Sequence, residues 1–159
     1  MAAASAATSP GAAMAEPVAL DPDDLTQACT AINHDYAIAR DRGDAEAFAP
    51  LFTEDARFTI QGEVFAGRDA ILERLRPGVA ANFARLLIHT VQITPQSDGT
   101  ATGVTYFTMF MAADGGTPTP PIKQYMLFMG EYHDRYIYDG AHCRFQSRQT
   151  VPLFSGAVE

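Results

Sequence analysis

The chain changes character near Arg85. Beyond it, four runs over 86–94, 100–111, 122–138 and 141–151 are rich in β-branched and aromatic residues, the composition of strands. Ser97-Asp98-Gly99 and Asp139-Gly140 supply hairpin turns between them. The 122–138 run is long for one strand, and Gly130 marks a bend or bulge within it. Ahead of Arg85 the pattern is helical. Asp21 can cap a helix that Pro22 opens, and Asp23 and Asp24 complement its dipole. Leu25, Ala28, Cys29, Ile32, Tyr36 and Ala39 then recur at three- and four-residue spacing as a buried stripe. Gly43 ends this helix and Asp44 can cap a short second one. A strand over 56–60, a turn at Gln61-Gly62 into Val64-Phe65, and a third helix over 70–75 stopped by Pro77-Gly78 complete the first half. Helices first and antiparallel strands afterwards predict an α+β fold, a cone of three N-terminal helices on one face of a curved, mostly antiparallel sheet. The expected organisation is one domain over 20–155. Residues 1–19 carry almost no large apolar side chains and read as a disordered tail.

Composition excludes several classes of function. A net charge of −8, from 11 basic against 19 acidic residues with no basic run, argues against nucleic acid as a partner. No apolar run approaches the ~20 residues that span a bilayer, so no membrane partner is expected. The first residues lack the basic start and apolar core of a signal peptide. Cys29 and Cys143 are far apart, with no CxxC pair, and read as reduced thiols of a cytoplasmic protein. His34, His133 and His142 form no metal-ligand spacing, and HxxxH and HExxH are absent. No glycine-rich phosphate loop occurs, and no serine sits in a G-x-S-x-G frame. The expectation is chemistry without metal, nucleotide, flavin or any other cofactor.

Three residues stand out. Tyr36 and Asp41 lie about 140° apart around one helix axis, because a helix turns about 100° per residue. They converge only if the helix end enters a cavity that wraps it. His89 sits in the apolar run Leu86-Leu87-Ile88-His89-Thr90-Val91. Alone it reads as a core histidine satisfied by a backbone partner. With a carboxylate on one ring nitrogen, it reads as a general base. Asp41 is otherwise a plain helix-end charge, and Tyr36 either packs or donates a hydrogen bond to an oxygen that gains charge. Arg148 alternates with His142, Arg144 and Gln146. That row is either solvated or partner-facing, or it anchors a substrate oxygen.

Alternation also suggests a cavity lining. Phe58, Val64, Phe65, Leu75, Phe83, Leu87, Tyr106, Phe107, Met109, Phe110, Met111, Met126 and Phe128 exceed what one flat sheet face uses. Aromatics and methionines around a few polar groups suit a hydrophobic, ring-sized ligand. Of these, Tyr106, Phe58, Phe110, Met126 and Phe128, together with Arg148, are the expected substrate contacts. The loop 112–121 is either a lid or an exposed hairpin connection. Strands 100–111 and 122–138 look apolar on both faces, which predicts a homodimer or homotrimer through the outer sheet face.

Several local patterns carry a resemblance: Y-A-I-A-R-D-R-G-D at 36–44, L-F-T-E-D-A-R-F at 51–58, G-R-D-A-I at 67–71, the histidine of L-L-I-H at 89, G-E-Y-H-D at 130–134, and D-G-x-x-C-R-F-x-x-R at 139–148. Together they resemble the SnoaL-like branch of the NTF2-like superfamily over about 22–150. Within it, the Tyr36/Asp41/His89 spacing is similar to that of the bile-acid 7α-dehydratases. The Asp41/His89 part is also similar to scytalone dehydratase and hexachlorocyclohexane dehydrochlorinase. The chain departs in two places: 103–111 carries no second histidine, and Cys143 stands where tryptophan is usual. The resemblance implies a cofactor-free lyase in which His89, oriented by Asp41, moves a proton, and Tyr36 or Arg148 stabilises an oxygen. The loss is an elimination, a dehydration or a retro-aldol release of a small molecule. Ring isomerisation or cyclisation and non-catalytic ligand binding are the alternatives on the same fold.

Overall fold

The computed structural model describes residues 20–158 apart from 82 and 113–118. The segment 1–19 expected as a tail and most of the 112–121 connection therefore lie outside the described residues. Helix α1 spans Pro22–Arg42. The Asp21 carboxylate accepts from the Asp23 N–H, and Gly43 ends the helix in the left-handed region at φ 68°. Asp44 caps the one-turn helix α2, Ala45–Phe48, by accepting from the Ala47 N–H. A 3-10 turn over Ala49–Leu51 leads into β1, Phe52–Ile60. Gln61 and Gly62, both at positive φ, turn the chain into β2, Glu63–Ala66.

Helix α3 runs over Arg68–Ala81 and so continues through Pro77-Gly78, where a stop was expected. Proline removes one backbone donor, and here that loss does not end the helix. Four long strands follow: β3 Ala84–Pro95, β4 Thr100–Ala112, β5 Tyr125–Tyr138 and β6 Cys143–Val158. The last runs well past the expected end at 151. The six strands form a curved, unclosed sheet in the order β2-β1-β6-β5-β4-β3, with the three helices packed on it. All pairings are antiparallel except β1 with β6.

One face of the sheet meets α1. Leu25, Cys29, Ile32, Tyr36 and Ala39 from the helix pack on Leu86, Ala101, Phe107, Tyr132, Tyr136 and Phe145 from the strands. The spacing that predicted the helix thus also names its buried side. Gly130 sits at a register shift between β5 and β6, as its position in a long β run suggested. A Cβ there would stand 2.4 Å from the Val151 carbonyl oxygen, so only glycine fits.

The two cysteines correct the reading of reduced thiols. Helix α1 lies across the start of β6 and brings the Cα atoms of Cys29 and Cys143 to 5.2 Å, where they form a disulfide. Spacing along the chain could not show this, because the bridge joins residues 114 apart. Disulfides persist in oxidising surroundings, so the cytoplasmic reading loses the support it drew from free thiols. Among the described residues no helix is long and apolar enough to cross a membrane. Closing a long loop commonly stabilises by about 2–4 kcal/mol. Full reduction, or Cys143→Ala, is therefore expected to lower the melting temperature by several degrees. An unchanged melt in excess reductant would show that the bridge contributes nothing.

Candidate functional site

A cavity of about 300 Å³ opens between the helices and the concave side of the sheet. Phe58 and Ile60 of β1, Phe107, Met109 and Met111 of β4, and Phe128 of β5 supply apolar walls. Leu75 of α3 closes one side. The inner end is formed by buried Tyr36 and Tyr132 with half-buried Arg40; exposed Gln61 and Arg74 lie at the outer end. The volume and lining suit a small ring compound.

The Tyr36 ring sits among Phe48, Phe52, Tyr132 and Phe145, with centroids 5.0, 6.2, 5.8 and 5.9 Å away. Burial, and Tyr36 beside it, push the Tyr132 hydroxyl well above its ordinary pKa, against the opposing fields of Arg148 and Arg40. Tyr132 therefore stays a protonated phenol near neutral pH.

Arg148 is neither in a solvated row nor in the wall of this cavity. Its side chain is fully buried. The guanidinium gives two parallel hydrogen bonds to Asp134, at 2.9 and 2.8 Å, and a third to the Asn33 side-chain oxygen. The rings of Tyr36, Tyr132 and Phe145 stand 4.3, 4.1 and 4.0 Å from its central carbon. Burial works against its charge, yet Asp134 and the neighbouring phenols more than offset this and raise its pKa. Nη1 has no hydrogen-bond partner among the described residues. Asn33 also donates to the Tyr136 hydroxyl at 3.1 Å, and that hydroxyl donates to Asp134 at 2.8 Å. Strand alternation grouped Arg148 with Arg144 and Gln146, and the structure corrects this: a register shift in β6 leaves Gln146 as an extra residue between Phe145 and Ser147, so Arg148 falls on the buried side with Cys143 and Phe145.

Asp41 and His89 hold different partners. Both Asp41 carboxylate oxygens accept from the Leu86 N–H at 3.1 Å, and Arg40 stands 3.4 Å away. Burial raises the Asp41 pKa, opposed by the Leu86 hydrogen bond and by Arg40 and Arg85. Asp41 lines a shallow depression with Ile38, Arg42 and Arg85, separate from the cavity lining. Leu86 and Ile88 take the inner side of β3, and His89 follows on the exposed side. A register shift between Ile88 and Val91 places His89 and Thr90 together opposite one position of β4. The His89 Nε2 lies 2.9 Å from the Thr108 hydroxyl. The structure thus brings Tyr36 to the cavity but does not bring His89 and Asp41 together.

The expected substrate contacts divide in the same way. Phe58 and Phe128 line the cavity. Met126 pairs with Met111, a cavity residue, but is itself outside the lining. Tyr106 is exposed, and Phe110 borders a small hollow of about 90 Å³ with Phe83, Arg85 and Tyr125. Alternation explains both, since Phe107, Met109 and Met111 claim the inner side of β4. Val64 and Leu87 are exposed as well. Arg40 and Tyr132 went unnoticed in the sequence. Tyr132 recurs two residues before Asp134 on the inward side of β5, a signal that was available; Arg40 had none.

A sheet cone with an apolar cavity under its first helix defines a class of small-ligand α+β proteins. The match of the SnoaL-like domain to residues 24–149 makes the membership specific: the chain belongs to the SnoaL-like family, within the NTF2-like superfamily. Rv3472, a function-unknown protein of Mycobacterium tuberculosis solved as a single-residue variant, is 26% identical with a TM-score of 0.68 over 82% of this chain and 76% of its own. A scytalone dehydratase candidate from Novosphingobium aromaticivorans is 19% identical, with a TM-score of 0.72 over 86% and 92%. The hexachlorocyclohexane dehydrochlorinase LinA-type3 of Novosphingobium barchaimii is 15% identical, with a TM-score of 0.71 over 85% and 94%. At such identities the last two establish the fold alone. No curated protein sequence matches the chain.

Removing one partner of a buried ion pair typically costs about 3–5 kcal/mol, because the other charge is left uncompensated. Asp134→Asn is expected to lower stability by that amount in urea unfolding. Asp134→Leu combined with Arg148→Met is expected to recover most of it. A loss in the double variant as large as in the single one would show that the charge balance is not what matters.

Proposed function

We propose that this protein is a cofactor-independent lyase that holds a small hydrophobic ring compound in the cavity and removes a small molecule from it. The observation that carries the reading is the lining itself: apolar walls of ring-stacking and methionine side chains, ending on two phenols and a guanidinium. Such an end donates hydrogen bonds to an oxygen that accumulates charge, while the dry walls strengthen those contacts. Tyr36 is the oxygen-stabilising donor in this reading. Asp41 and His89 remain the proposed acid–base pair, and their use requires His89 to leave Thr108 and cross to the cavity side of β3. Support for that movement comes from the irregular register at His89 and Thr90, since a one-residue slip in a strand exchanges its faces. The relatives carrying dehydratase and dehydrochlorinase names suggest loss of water or hydrogen chloride.

A second reading, a non-catalytic ligand-binding member of the family, is favoured by one observation. No described residue lining the cavity is a carboxylate or a histidine. Scytalone and hexachlorocyclohexane serve as probes, with product mass as the readout. The lyase reading expects loss of water or hydrogen chloride, and a fall of about 10²–10⁴-fold in turnover for His89→Ala and Asp41→Asn. Wild-type turnover in His89→Ala would remove His89 from the mechanism. Binding of the probes without any mass loss would favour the second reading.

The homo-oligomer belongs to the same proposal. Leu87, Tyr106, Met129 and Phe154 are exposed on four neighbouring strands, with the cross-strand register Leu87–Thr108–Met129–Phe154. Exposed apolar side chains that flank the buried Thr108 on neighbouring strands are suited to a second copy. Light scattering at micromolar concentration is expected to give a dimer or trimer mass, and Phe154→Glu to weaken it. A monomer mass for the wild type would end this part of the proposal.

A further inference from the structure

We infer that the cavity selects an anionic ligand, a hydrophobic ring bearing a carboxylate or an equally acidic oxygen, and that Arg40 is the residue that receives the charge. This inference rests on the cavity being a ring-sized ligand site. It adds the chemical class that the site prefers.

The argument begins with charge. The chain as a whole carries −8, yet the described lining of this cavity contains Arg40 and Arg74 and no acidic residue. A cleft with cationic walls on an acidic protein concentrates anions against the surrounding potential. The two arginines differ in what they can do. Arg74 is exposed at the outer end, with its guanidinium carbon 5.5 Å from the Phe65 ring centroid. Solvent screens it. Arg40 is at the inner end, with only 13% of its side chain accessible.

Arg40 is also poorly partnered. A guanidinium has five N–H donors in a planar fork. Among the described residues its hydrogen bonding comes to one contact, Nη1 to Asp41 Oδ1 at 3.4 Å. That is long for a charge-assisted bond, which normally falls at about 2.7–2.9 Å. Asp41 does not fully answer the charge, because its two oxygens also take the Leu86 N–H and it feels Arg85 as well. The fork is therefore available for the two parallel hydrogen bonds that a carboxylate accepts. Tyr36 and Tyr132 border the same end of the cavity and add phenolic donors. Behind them lies the Arg148 guanidinium, against both rings. All of these groups favour an oxyanion there, and the apolar walls between this end and the outer Gln61 and Arg74 take the ring body of the ligand.

Matched probes test this without knowledge of the natural ligand. Naphthoate and its methyl ester share one ring body and differ in charge. By calorimetric titration the wild-type protein is expected to bind naphthoate at least roughly tenfold more tightly, the scale of hydrogen bonds to a charged group. Arg40→Gln should bring the two affinities close together, Arg40→Lys should keep part of the preference, and Arg74→Gln should keep most of it. Equal affinity of the wild type for both probes overturns the inference while leaving the cavity reading intact. So does a preference that survives Arg40→Gln in a variant whose melt is unchanged. If neither probe binds, the reading of the cavity as a ring-ligand site fails first, and this one with it. The wild-type comparison needs no variant, so the inference stays testable even if Arg40→Gln does not fold.

Discussion

An arginine that never meets water holds this molecule together. Arg148 gives two hydrogen bonds to Asp134 on the neighbouring strand and one to Asn33 on α1, and three aromatic rings surround its central carbon. Each contact replaces part of the hydration that burial removes. Cation–ring contacts are worth about 0.5–2 kcal/mol when desolvated, so the rings complement the ion pair and do not stand in for it. The pair also sets geometry. Asp134 and Arg148 are directly paired in the β5–β6 register, and Asn33 ties that point of the sheet to the middle of α1.

The cavity follows from this arrangement. Tyr36 and Tyr132 are fixed against the guanidinium, and they form the inner end of the space that opens away from it. A polar centre buried under aromatic rings thereby becomes the wall of an apolar cavity. The inner end of the cavity is backed by hydrogen bonds among fully buried groups. Met109, Met111 and Phe128 further out are more adaptable or simply apolar, and they set shape more than orientation.

The fold was legible in the sequence because its signals are local. Asp21, Gly43, Asp44, Gln61-Gly62 and Gly140 each act within a few residues, and each stands where a cap or turn requires it. The site was legible only in part, because its facts are long-range. Tyr36, Phe58 and Phe128 could be assigned to an interior from periodicity. The side on which His89 falls depends on an irregular register between Ile88 and Val91, which leaves no mark in composition. Arg148 read as part of the Arg144 and Gln146 row because the extra residue at Gln146 shifts the alternation, and because its partners, Asp134 and Asn33, are 14 and 115 residues away. The Cys29–Cys143 bridge was hidden for the same reason. Asp41 was recognised as special, but a carboxylate that holds a backbone N–H and one that orients an imidazole look alike in a sequence.

The position of β6 in the sheet has a kinetic consequence. It lies between β1 and β5, although it is made after both. Until Cys143–Val158 leaves the ribosome, β1 and β2 have a hairpin's mutual pairing but no neighbour joining them to the rest of the sheet. Cys29 has no thiol to meet, and Asn33 and Asp134 wait as an acceptor pair with no cation between them. The β3–β4 hairpin has a local turn of its own and α1 packs on β3, while β1 and β2 join the sheet only through the C-terminal strand. Maturation of this chain is thus a closing event, in which one late strand completes the sheet, neutralises the core and brings the two sulfurs together.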